Sequence, residues 1–236
     1  MNTIKKLFSI TCIIAYLIPV YGQKDTLTSD GLYHKYNISF VDSISTQAIE
    51  LNRTTKRIGL TYKVLPQYVI SDLFSLIGTQ KSNPEELLRT TNNGITSQWT
   101  HKDGECILFI KCFGLKSWID KSIDQIPQSD FDWIKQTLGM GFSLNKTTEQ
   151  EMQEIKKKIN IWPSQKAKKI FNAQYVITYP IENKKAVYMG KYTHKRELIM
   201  IKWGEHLTVS FLVTKKGNRN IEKYIKDVEE AFWFED

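Results

Sequence analysis

Glu197-Leu-Ile-Met-Ile-Lys-Trp203 and Leu207-Thr-Val-Ser-Phe-Leu-Val-Thr214 are two long apolar runs separated by a turn at Gly204-Glu205. Their length and β-branched content fit strands, and the glycine between them makes the pair a hairpin at the centre of a sheet. A second hairpin lies upstream. Ile95–His101 and Glu105–Phe113 are apolar or alternating runs joined by Lys102-Asp103-Gly104, and Asp-Gly favours a tight turn. Further strands are expected at 33–40, 57–64 and 172–179.

Helical spacing separates these strands. Pro66 opens a helix whose broad apolar face holds Val69, Ile70, Leu73, Phe74, Leu76 and Ile77, with Gly78 as its stop. Shorter helices follow at 84–90, 118–123 and 130–138, the last capped by Ser129 or Asp130. The clearest helix starts at Thr148, where Thr148 and Glu151 form a capping-box pattern. Met152, Ile155 and Ile159 share one of its faces, and acids precede bases in the sense its dipole favours. Pro163 ends it, and 166–171 adds a turn. Ile221, Tyr224, Ile225, Val228 and Phe232 mark a terminal helix capped by Asn218 or Asn220 and laid across the sheet. Strands grouped in hairpins, with helices between the groups, give an α+β class with a mainly antiparallel sheet.

At the N-terminus, Lys5 and Lys6 precede Leu7–Val20, which contains no charge, and Val20-Tyr21-Gly22 places a small residue at a cleavage position. The apolar run is shorter than the ~20 residues a membrane span needs. A signal peptide at 1–22 is expected, leaving residues 23–236 as one α+β domain with a flexible start at 23–31. Retention as an anchor, or burial as a core helix, is the alternative. Cys12 lies inside the run rather than at its end, so a lipoprotein is not indicated.

The formal charge of +8 falls by two to +6 when Lys5 and Lys6 leave. The excess is modest and spread along the chain, which suits loose attraction to an anionic surface or an acidic protein. Export argues against a nucleic-acid partner. Cys106 and Cys112, six apart on one strand, would share a face but stand about 20 Å apart, so both are expected as free buried thiols despite the export.

No catalytic or metal-binding pattern emerges, and no cofactor loop. His34, His101, His194 and His206 do not pair on a helix. Ser143-Leu-Asn-Lys146 matches the Ser-x-x-Lys tetrad without its companion motifs. Gly139-Met-Gly141 lacks a third glycine. Asp130 and Asp132 read as the charged start of a helix rather than a glycosidase pair. His194 and Glu197, three apart on a strand, point to opposite faces. The Thr-His-Lys at 100–102 that recurs at 193–195 is coincidence. The densest basic region is Lys156, Lys157, Lys158, Lys166, Lys168 and Lys169, read either as a solvated helix face or as a contact for an anionic surface.

Phe171-Asn172-Ala173, Tyr179-Pro180, Lys191-Tyr192-Thr193-His194, Tyr224-Ile225 and Phe232-Trp233 resemble a pattern in uncharacterised exported proteins of Bacteroidota, over about the last third of the chain. The resemblance implies no activity. The plan of a sheet with a terminal helix is similar to the photosystem II extrinsic protein and Ran-binding Mog-type fold, which implies a non-enzymatic binding scaffold. The sequence therefore leads to a periplasmic or secreted, non-catalytic interaction protein. The rivals are an envelope hydrolase using scattered residues such as His194, Glu197 and Asp132, or a protective partner of an exported toxin.

Overall fold

The computed structural model describes residues 43–71, 95–114, 126, 128–138, 140, 146–181 and 191–236. The expected signal peptide at 1–22, the flexible start at 23–31, the strand at 33–40, the expected helix from Pro66 beyond residue 71, and the helices expected at 84–90 and 118–123 lie outside these residues.

Along the chain run α1 (Ser43–Arg57), β1 (Leu60–Tyr62), β2 (Tyr68–Ile70), β3 (Ser97–His101), β4 (Cys106–Gly114), α2 (Gln128–Thr137) and α3 (Glu149–Lys158). They are followed by β5 (Asn160–Ile161), α4 (Ser164–Phe171), β6 (Tyr175–Ile181), β7 (Tyr192–Lys202), β8 (Glu205–Thr214), α5 (Lys215–Arg219), α6 (Ile221–Ala231) and β9 (Phe232–Phe234). Seven strands form one sheet in the order β2-β3-β4-β8-β7-β6-β5, and β1 pairs with β9 in a separate ribbon. All of these pairings are antiparallel. The class is α+β, as the hairpins indicated.

Both hairpins form, but the second turn is Trp203-Gly204 rather than Gly204-Glu205: Glu205 is the first residue of β8 and pairs with Lys202. Gly104 has a φ of 70° at the β3–β4 turn, and Trp203 and Gly204 take 49° and 81° between β7 and β8. Two successive positive φ values match the right-handed twist of the strands, and Gly204 adopts one at no steric cost. The ten residues of β8 are all buried, so this strand is the centre of the molecule.

Residues alternate between two covered faces. One face presents Trp99, Cys106, Leu108, Cys112, Val176, Leu198, Met200, Val209 and Phe211 to a core completed by α1, α4, α6 and β9. On the other face, Tyr175, Ile177, Tyr179, Ile199 and Ile201 meet Phe131 and Ile134 of α2 and Ile155 of α3. The C-terminal helix packs on the sheet through Ile221, Tyr224, Ile225 and Val228. Cys106 and Cys112 are free and buried on a common face.

The capping box of α3 is present: Thr148 accepts from the Glu151 N–H at 3.3 Å, and the Glu151 carboxylate accepts from the Thr148 N–H at 2.9 Å. Several expectations need correction. Tyr68–Ile70 is a strand, not the start of a helix: it pairs with Trp99–His101 and leaves Val69 exposed on the sheet edge. Residues 43–57, unassigned from the sequence, form α1, which runs through Arg57 and shortens the expected strand at 57–64 to three residues. Pro163 does not end α3, which stops at Lys158; it precedes the separate helix α4. Helix α2 begins at Gln128 and so contains Ser129 and Asp130 rather than being capped by them. Asn220 makes no side-chain cap to α6; the capping side chain there is Thr214, which accepts from the Gly217 N–H at the start of α5. Phe232 belongs to β9, because the chain turns extended at that residue.

Candidate functional site

The three residues of the hydrolase reading are not brought together. Glu197 is buried on the sheet face that carries α2 and α3, where it pairs with Lys195 at 2.7 Å and accepts from Ser210 Oγ at 2.6 Å. His194 lies opposite Val213 in register, on the other face, with Thr193 Oγ1 2.9 Å from its Nδ1. Asp132 accepts from the Thr147 N–H at 2.6 Å and from the Thr147 hydroxyl, fixing the approach to α3. Ser143 of the Ser-x-x-Lys match lies outside the described residues.

Two further polar clusters went unread in the sequence. In the first, Tyr175 donates to Asp130 at 2.5 Å, and His206 Nε2 stands 3.7 Å from the same carboxylate. Burial pushes the Asp130 carboxyl up to about 6, against the Tyr175 hydrogen bond, and pushes His206 down to about 4. Both groups are thus biased toward their neutral forms.

In the second, the β3–β4 turn is tied to α6. Asp103 accepts from Lys223 at 3.0 Å and from Tyr224 at 2.9 Å, while Asp227 accepts from Gln67 at 2.8 Å and from Tyr68 at 3.0 Å. Burial works to raise the Asp103 pKa, but the Glu105 N–H, Lys223 and Tyr224 outweigh it and hold the carboxyl at about 2. His101 sits between the two acids, edge-on to the rings of Tyr68 and Tyr224. These carboxylates are consumed by internal partners, so the cluster braces the turn. Among the described residues, no group of three His, Cys, Asp or Glu could hold a metal ion.

The outward-facing features are different in kind. All six lysines of the basic region are exposed. They stand on α3 and α4, which pack on opposite faces of the sheet through Ile155 and through Ala167 and Phe171, and thus bracket the edge strand β5. Lys157 pairs with Glu154 at 2.6 Å, and Lys166 lies 3.5 Å above the Trp162 ring and 4.0 Å from Glu229. Among the described residues, no carboxylate lies within ion-pair distance of Lys156, Lys158, Lys168 or Lys169. The exposed Ile161 of β5 lies between the two groups.

A groove of about 310 Å³ opens where β1, β9, α4 and the end of α6 meet. Tyr62, Ile170 and Trp233 give it apolar walls, and Lys63, Glu229 and Glu230 give it charge. No sequence signal marks it, since its walls come from three distant segments.

Among the described residues, no helix is long and apolar enough to cross a membrane. No protein-family model matches the chain, and no curated protein matches it. Among solved structures, the solution structure of cyanobacterial PsbP (CyanoP) from Synechocystis sp. PCC 6803 is similar over 76% of this chain and 88% of that one, at 9% identity. The TM-score of 0.36 is too loose an overlap to argue from.

Proposed function

We propose that this chain is an exported, non-catalytic binding protein, periplasmic or secreted, that contacts an anionic surface through Lys156, Lys157, Lys158, Lys166, Lys168 and Lys169. One observation carries the reading: six exposed lysines stand on the two helices that precede and follow the edge strand β5, and four of them have no carboxylate within ion-pair distance among the described residues. A solvated helix face needs no such bracketing of an edge, and it is normally laced with partners as at Lys157–Glu154. Near an anionic surface each lysine gains about 1 kcal/mol, so six acting together give useful affinity that salt removes. The non-catalytic half of the reading draws support from Glu197 and Asp132, whose carboxylates are already engaged by Lys195, Ser210 and Thr147.

The test uses residues 23–236 in sedimentation with vesicles containing phosphatidylglycerol, with neutral phosphatidylcholine vesicles and an acidic polysaccharide column as parallel arms. Binding to the anionic arms should be salt-sensitive and should vanish when the six lysines become glutamine. Undiminished binding by that variant, or equal binding to neutral vesicles, would overturn the reading. The N-terminus of the native protein should begin at Gln23.

A further inference from the structure

The groove between β1, β9, α4 and α6 is a second outward-facing feature, and its chemistry is opposite to that of the lysine-rich edge. Its lining carries two carboxylates, Glu229 and Glu230, against one ammonium, Lys63, in a chain whose net charge is +8. Trp233 is 43% exposed on the outer face of the ribbon, opposite Thr61 in register, so its indole is presented rather than packed. Ile170 and Tyr62 supply apolar surface beside it.

The molecule shows next door how such a set of groups is used. Lys166 places its ammonium 3.5 Å over the Trp162 ring and 4.0 Å from Glu229, so an internal cation is held between an indole and a carboxylate. The same two residue types, an indole and a carboxylate, line the groove as Trp233 and Glu230. Among the described residues, neither an aromatic-facing cation at Trp233 nor an ion pair at Glu230 is found. A cation is attracted to the indole face, most strongly when partly desolvated, and a long aliphatic stem can lie on apolar walls while its head reaches a carboxylate.

We infer that this groove takes the lysine or arginine side chain of a partner polypeptide, its stem against Ile170 and Tyr62 and its charged head between the Trp233 indole and Glu230. The site adjoins α4, whose Lys166 already engages Glu229, so the carboxylate left for a cationic ligand is that of Glu230. A neutral sugar also stacks on an indole and donates hydroxyls to a carboxylate, but it brings no charge to set against that of Glu230.

The test follows the indole N–H signals of the whole 23–236 chain by two-dimensional NMR. The Trp233 signal is identified as the one lost in Trp233→Phe. The probes are capped Gly-Arg-Gly and Gly-Lys-Gly peptides, the citrulline analogue of the first, and a neutral disaccharide. The two cationic peptides should move the Trp233 signal, citrulline and sugar should not, and Glu230→Gln should weaken the cationic peptides by roughly tenfold. Glu230 is exposed, so this variant should keep its fold, checked by the unchanged remaining signals. Equal shifts with citrulline, a response to the sugar alone, no response to any probe, or undiminished binding by Glu230→Gln would each overturn the inference.

Discussion

The two faces of the seven-stranded sheet are built on different principles. The face under α1, α4 and α6 is mainly apolar, with Trp99, Leu108, Leu198, Val209 and Phe211 interlocked around the central hairpin and Ser97 and His101 among its few buried polar residues. The opposite face buries Lys195, Glu197, Ser210, Asp130 and His206 among its apolar residues. The first face gains stability in proportion to the apolar area it removes from water. The second must hold charged and polar groups in fixed pairs, because a buried charge without its partner is costly. Burial of polar groups in this molecule is therefore a matter of mutual satisfaction, and the groups left for outside contacts are those at the rim.

The sharpest way to break this contrast is to damage each face in turn. Phe211→Ala, at a fully buried position of the apolar face, should cost about 4 kcal/mol in denaturant unfolding through lost burial and a residual cavity. On the polar face, Glu197→Gln should cost about 3 kcal/mol by removing the carboxylate that offsets the buried Lys195 charge, whereas the double change Lys195→Met with Glu197→Leu should be close to neutral or stabilising. A double variant that falls as far as the single one would mean the pair contributes net stability and the contrast is wrong.

Asp130 and His206 sharpen the comparison through pH. The folded pKa of Asp130, about 6, lies above its ordinary value of 3.8, so the stability it contributes is full below 3.8 and is lost as pH rises toward 6. His206 runs the other way: its folded pKa of about 4 lies below 6.5, so its contribution is absent below 4 and grows as pH rises to 6.5. The two slopes oppose each other, so this pair together contributes little net pH dependence between pH 4 and 6. Asp130→Asn should leave a stability that rises by about 2 kcal/mol across that window, and His206→Phe one that falls by a similar amount. The smallest expected effect is Thr148→Ala, which removes the capping box of α3 and should lower stability by about 1 kcal/mol.

What could be read from the sequence follows the range of the interactions involved. The hairpin turn at Asp103-Gly104 and the capping box at Thr148 and Glu151 are set by residues within a few positions of each other and stand where they are expected, and the second turn falls one residue early, at Trp203-Gly204. Tyr68–Ile70 was misread because its neighbours Leu73 to Ile77 continue an apolar helical spacing, while its true state is set by pairing with Trp99–His101, some thirty residues away. The strand Phe232–Phe234 was absorbed into the preceding helix for the same reason, its partner Leu60–Tyr62 being at the other end of the chain. The lysine-rich region was legible as composition, but not its placement on two faces of the sheet around β5. Lys195 and Glu197 were legible in principle, since opposite charges two apart on a strand share a face. The groove could not be found that way, because Lys63, Ile170 and Glu230 meet only in the folded chain.

The reading of the rim as the binding surface is tested most directly by amide hydrogen exchange on the 23–236 chain with and without phosphatidylglycerol vesicles. Protection should appear across residues 149–171, covering α3, β5 and α4, and should disappear at high salt. Protection confined to the β3–β4 turn or to the central hairpin, with residues 149–171 exchanging as in the free protein, would contradict the account.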